Sequence, residues 1–168
     1  MSINRKHSAG FSLIELMMAI AILTLLMMVG SQLSRAWTDR AHVNSTVFSL
    51  KNAVSQAKIA ALRNTNNYPV HHPSTSVCWD EAAASIHVIR ADVGSTNGCD
   101  PSSSFNTVLY QFKTAKDIGI KQQSTLFTCL TFNAAGFLVT TPGSVCSTIQ
   151  DLSFKVEKNN EEASFKIM

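Results

Sequence analysis

Gly10, Phe11 and Glu15, near the start of the chain, are residues whose types and spacing could carry chemistry. Glu15 lies inside an apolar run that lasts from Phe11 to Gly30. An ionisable group at membrane depth costs about 3 kcal/mol or more unless it has a partner, which makes it a functional residue by default. A cut between Gly10 and Phe11 would create such a partner, a new positively charged α-amino group. The small residues Ser8, Ala9 and Gly10 stand just before that bond. This chemistry would be done on the chain, not by it.

Two plainer readings compete. A secretory signal has a basic front, here Arg5 and Lys6, and an apolar core, but its small-residue cleavage site follows the core. In this chain the small residues come first. A signal anchor fits better, because Phe11–Gly30 matches the ~20 residues that span a bilayer. The basic side would then stay cytoplasmic by the positive-inside rule. An anchor leaves Glu15 unexplained. Gly10, Phe11 and Glu15 with their apolar tail resemble the class III signal of type IV prepilins. The resemblance implies cleavage after Gly10 by a prepilin peptidase, N-methylation of Phe11, and an assembly salt bridge from Glu15 to the Phe11 amine of a neighbouring subunit.

The other reactive residue types form no convincing constellation. Cys78, Cys99, Cys129 and Cys146 in an exported chain read as two disulfides, not as a redox or metal centre. Counting leaves three pairings open; local hairpin geometry favours Cys78–Cys99 and Cys129–Cys146. His71 and His72 are adjacent and lack a third ligand at a metal-binding spacing, so they read as solvated loop residues and no metal is expected. His87 reads as a surface or sheet-face residue within a strand, and Trp79 as packing on a helix or disulfide. No serine is accompanied by a histidine and an acid in a nucleophile arrangement. The chain reads as a non-enzyme with no cofactor and no small-molecule substrate.

A long element must position the amino-terminal residues. No proline occurs before Pro69, and after Gly30 no glycine occurs until Gly94. Apolar residues recur at Leu33, Trp37 and Ala41, then at Val47, Leu50, Val54, Ala57 and Ala61. Those steps of three and four mark one stripe on an amphipathic helix. The pattern predicts a single helix from about Phe11 to Arg63, roughly 80 Å long at 1.5 Å per residue. Its first half is apolar all round. Asn64–Pro69 ends it with turn formers and a proline.

Beyond residue 70 the period shortens to that of strands. Strands are predicted at Ser76–Asp80, Ser85–Ala91, Thr107–Phe112, Leu126–Phe132, Phe137–Thr141, Ile149–Val156 and Ala163–Ile167. Asn133-Ala-Ala-Gly136 is a tight hairpin turn, and Gly94–Ser104 is an exposed loop. The expected fold class is α+β, a long N-terminal helix whose second half packs on an antiparallel sheet head. The expected division is residues 1–10 leader, 11–30 membrane and filament-core helix, 31–63 amphipathic helix, and 64–168 head.

The order of segments narrows the resemblance. Ala60-Ala-Leu-Arg-Asn64, Val77-Cys-Trp79, Leu130-Thr-Phe-Asn-Ala-Ala-Gly-Phe137 and Val145-Cys146 resemble the GspH/FimT family of type IV pilin-like proteins. That family includes FimU- and FimT-type minor pilins and the GspH pseudopilin of type II secretion. It implies other minor and major pilins, the inner membrane and the pilus assembly platform as partners. The protein would be a single-pass inner-membrane protein before assembly and would lie on the pilus afterwards. Family members usually close on an arginine-rich strand, whereas this chain ends Val156-Glu-Lys-Asn-Asn-Glu-Glu-Ala-Ser-Phe-Lys-Ile-Met168. From residue 64 onward seven basic side chains face nine acidic ones, while residues 31–63 carry a net +4. Nucleic-acid affinity comes from Lys and Arg on phosphate, so this head is poor material for it. The expectation is a minor pilin at or near a pilus tip that primes assembly. A GspH-like pseudopilin is the alternative, and a FimT-like DNA-binding pilin a weaker one.

Overall fold

The computed structural model describes residues 12–91, 98–139, 146 and 152–167. One helix, α1 (Leu13–Arg63), is followed by eight strands. The chain divides into two compact units, Met1–Trp37 and Thr38–Met168. In the first unit the described residues are helical from Leu13 onward.

In the second unit the strands form two four-stranded antiparallel sheets. The first contains β1 (Pro73–Asp80), β2 (Ser85–Ala91), β3 (Asn106–Lys113) and β6 (Cys129–Asn133) in the order β3-β2-β1-β6. The second contains β4 (Gly119–Gln122), β5 (Thr125–Leu126), β7 (Ser153–Lys158) and β8 (Glu161–Lys166) in the order β5-β4-β7-β8. The expected α+β class holds, with two sheets in place of one.

The predicted strand Leu126–Phe132 is where the sheets meet. The Phe127 amide donates to the Ile120 carbonyl at 2.8 Å, and the Thr128 carbonyl accepts from the Trp79 amide at 2.8 Å. The chain thus changes partner between Phe127 and Thr128, leaving β4 for β1. The residue types from Leu126 to Phe132 give no hint of such a switch, because nothing in them marks where one partner strand ends and the next begins. Strand β4 escapes prediction because it is only four residues long. Around the predicted Phe137–Thr141 strand, the described residues form only an isolated bridge from Leu138 to Phe132; Thr140 and Thr141 lie outside them.

A single core joins α1 to both sheets. Val43, Leu50, Ala53, Val54, Ala57 and Ala61 meet Val77, Ile86, Val88 and Leu130 of the first sheet and Ile120, Phe154 and Val156 of the second. Phe154 packs edge-on to Phe127 at 5.3 Å and stacks on Phe165 at 5.7 Å. Trp79 belongs to this core as well. The predicted stripe is right from Val47 to Ala61 but wrong at Trp37 and Ala41, while the Leu33 side chain lies outside what is described. Trp37 is 74% exposed and Ala41 is exposed, whereas Val43 and Thr46 are buried. Positions 43, 46 and 50 share one helical face, and positions 37 and 41 point elsewhere at 100° per residue.

Two asparagines hold one end of the first sheet, where Ala91 of β2 and Asn133 of β6 flank the start of β1. Asn64, at φ +39°, caps α1 in the left-handed region. Its side chain accepts from the Tyr68 amide at 2.7 Å and donates to the Tyr68 carbonyl at 2.9 Å. The Tyr68 hydroxyl then donates to the Ala91 carbonyl at 3.0 Å, tying the helix end to β2. At the Asn133–Gly136 turn, the Asn133 side chain accepts from the Phe137 amide at 2.9 Å, and Gly136 adopts φ +76°.

Candidate functional site

Glu15 occupies the first turn of α1 and is exposed. Its amide and that of Leu16 both donate to the Ser12 carbonyl, at 3.1 and 3.2 Å. Ser12 and Glu15 therefore have the spacing of a capping box, a helix start that needs no membrane to explain it. A carboxylate there also favours the helix dipole by about 0.3–1 kcal/mol. Sequence reading overlooked this local role, although the Ser-x-x-Glu pattern signals it. Gly10 and Phe11, the expected cleavage and methylation residues, lie outside the described residues.

The turns that follow Glu15 expose apolar side chains in every direction. Leu13, Ile14, Leu16, Met17, Met18, Ile20, Ile22, Leu23, Leu25, Leu26, Met27 and Met28 are all more than half exposed. Monomeric soluble proteins rarely leave apolar patches above a few hundred Å² uncovered, so this surface requires a cover. Among the described residues no helix is long and apolar enough to cross a membrane.

A second concentration of reactive groups lies on the face of the first sheet turned away from the helix. Cys78 of β1 pairs in register with Cys129 of β6 and with His87 of β2. Disulfides join Cys78 to Cys99 and Cys129 to Cys146, with Cα separations of 5.6 and 4.6 Å. The Sγ atoms of Cys99, Cys129 and Cys146 all lie within 4.8 Å of one another. Cys78 and Cys129 are buried with Ile89, and Cys99 and Cys146 pack over them partly buried.

Of the two expected places for His87, surface or sheet face, the structure takes the second: it lies on a sheet face and is buried, 6% exposed. Strands of one-sided sheets alternate buried and exposed, but here both faces are covered, so the alternation carries no exposure signal. Its Nε2 meets the Ser85 Oγ at 2.7 Å. The i, i+2 spacing on a strand puts both side chains on one face, a pairing the sequence reading did not see. Burial pushes the His87 pKa down, opposed by the nearby Asp80 carboxylate. Ser85 is wholly buried, so this pair offers no opening to a substrate.

The adjacent His71 and His72 do not form a joint site. His72 stacks on Tyr68 at 4.5 Å, and its Nδ1 meets the Pro73 carbonyl at 2.8 Å. A cleft of about 200 Å³ beside the helix end is lined by Gln56, Arg63, Thr65, Arg90 and Tyr110, among others. An apolar cleft of about 180 Å³ lies beneath Phe137. Neither lining brings a nucleophile to a base.

Residues 5–31 match the prokaryotic N-terminal methylation motif, the segment that holds Gly10, Phe11 and Glu15. That motif marks a type IV pilin-like or pseudopilin protein of the prepilin type. No curated protein matches the chain. No solved structure matches it.

Proposed function

We propose that this protein is a minor pilin, incorporated at or near the tip of a type IV pilus, where it primes assembly. The observation that carries the reading is the matched N-terminal segment, followed by a helix whose apolar side chains from Leu13 to Met28 are uncovered on all sides. Before assembly the lipid of the inner membrane covers that surface, with Arg5 and Lys6 on the cytoplasmic side. After assembly the equivalent helices of neighbouring major and minor pilins cover it. A prepilin peptidase cuts after Gly10, and the new Phe11 amine is methylated.

Glu15 then has a task beyond starting the helix. In the apolar interior of a filament its carboxylate neutralises the Phe11 ammonium of a neighbouring subunit. Removing one member of a buried ion pair costs about 3–5 kcal/mol, because the other is stranded. The pair thereby sets register as the subunit leaves the membrane. No step in this sequence asks the protein itself to catalyse a reaction.

DNA capture is the weaker reading on charge grounds. Near the C-terminus, Lys155 pairs with Glu162 and Lys121 with Glu157. The Lys158 ammonium donates to the Lys116 carbonyl at 2.8 Å and lies 3.9 Å from Asp39. These lysines already have acceptors within the molecule, which leaves little for phosphate.

The deciding experiment compares surface pili sheared from cells lacking the gene with those from complemented cells. A sharp loss of pili, restored on complementation, is the expected result. Normal piliation with a defect in enzyme secretion would place the protein among pseudopilins instead.

A further inference from the structure

The two disulfides are close enough to act on each other, an arrangement that the pilin reading neither uses nor requires. Cys78 and Cys129 are directly opposed on antiparallel strands. The Trp79 amide donates to the Thr128 carbonyl at 2.8 Å, which makes Cys78 and Cys129 a non-hydrogen-bonded pair. Opposed residues of that kind have Cα atoms about 4.5 Å apart, within the range that a disulfide can bridge. The other two cysteines, Cys99 and Cys146, are neighbours as well, since their Sγ atoms and that of Cys129 lie within 4.8 Å of one another. A second complete pairing is therefore within reach of the same four sulfurs.

We propose that the four cysteines form a thiol–disulfide exchange centre. An incoming thiolate initiates the exchange and is regenerated by it, and the centre interconverts the pairing Cys78–Cys99 with Cys129–Cys146 and the pairing Cys78–Cys129 with Cys99–Cys146. Exposure favours entry at an outer sulfur such as Cys99, which is partly buried, while Cys78 is only 4% exposed. An incoming thiolate attacks the Cys99 sulfur, forms a mixed disulfide there and expels the Cys78 thiolate. Cys78 attacks Cys129 across the strands, breaks the Cys129–Cys146 bond and expels the Cys146 thiolate. Cys146 attacks Cys99 in the mixed disulfide and releases the original thiolate. Two disulfides enter and two leave, so no oxidant or reductant is consumed. The Thr131 hydroxyl donates to the Cys146 sulfur at 3.5 Å, which favours Cys146 as the departing thiolate. The second pairing would join β1 to β6 directly and free Cys99 and Cys146 from the sheet.

The test treats the full-length oxidised protein in detergent with substoichiometric reduced glutathione, then quenches by alkylation and digests with trypsin. The present pairing yields residues 64–90 joined to 91–113, with residues 122–155 separate and internally bridged. The second pairing joins all three peptides into one species. A further cut with chymotrypsin between Cys129 and Cys146, after Phe132 or Phe137, distinguishes it from Cys78–Cys146 with Cys99–Cys129, which joins the same three and would overturn the proposal. Appearance of that species, dependent on glutathione, is the expected result. A Cys78→Ser variant provides an independent reading, because it leaves Cys99 as a free thiol beside the Cys129–Cys146 bond. Alkylation of that variant should be shared between Cys99 and at least one of Cys129 and Cys146. Failure of the three-peptide species to form, or labelling of the variant confined to Cys99, would overturn the proposal.

Discussion

At the scale of single residues, one substitution can separate the proposed ion-pair role of Glu15 from its place at the helix start. Gln keeps the hydrogen-bonding shape that a capping box uses but carries no charge. Glu15→Gln should therefore leave α1 and membrane insertion intact while impairing incorporation into filaments as severely as Glu15→Leu. This is checked by comparing the subunit in sheared pili with that in membranes; full incorporation of the Gln variant would remove the ion-pair role. Gly10→Val should leave a longer precursor with its leader attached, read directly by mass. His87 gives a pH signature. Its folded pKa lies below the ordinary value of 6.5, so both states are neutral above that pH and stability there is unaffected. As pH falls below 6.5 the unfolded chain takes up a proton that the native head resists, and stability declines towards the folded pKa. Urea unfolding of the protein from pH 7.5 down to pH 5 should show this branch, and His87→Gln should flatten it.

At the scale of elements, the turn that closes β6 is the clearest single-residue dependence. Gly136 sits at φ +76°, and an added Cβ would lie 3.2 Å from Leu62 and 3.4 Å from the Lys58 side chain. Leu62 is 57% exposed and free to swing away, so backbone strain dominates the cost. Gly136→Ala should lower stability by about 1–2 kcal/mol, the penalty of a left-handed conformation for a residue with a Cβ. Urea denaturation measures it, and an unchanged midpoint would show that the turn can readjust. The helix shows how far pattern alone reaches. Its continuity follows from missing breakers, and the face from Val47 to Ala61 follows from its spacing. Earlier in the helix, Trp37 and Ala41 were read into the stripe because they are apolar at plausible steps, although Val43 and Thr46 make the contact. Thr46 is buried despite its hydroxyl, because that group is satisfied by the His42 carbonyl at 2.9 Å.

At the scale of the whole molecule, charge separates the competing functions. Lys121 and Lys155 of the second sheet pair with its own Glu157 and Glu162, so phosphate would have to displace ion pairs already formed there. A gel shift of the full-length protein in detergent with duplex DNA at low salt should show weak binding at most. Tight binding that weakens steeply with salt would reverse the order of the readings, since counterion release is the mark of phosphate contacts.

The sequence by itself determined the amino-terminal motif, the long helix, most strands and the α+β class. Those features are local: a spacing of a few residues, a missing breaker, a period of 3.6 or of two. Tertiary structure alone decided the rest. It divided one predicted strand between two sheets at Phe127 and Thr128, buried His87 against Ser85, and brought four cysteines from distant positions onto one sheet face. Each depends on which strand lies beside which, and strand order is set by packing between segments far apart in the chain, which no local pattern records.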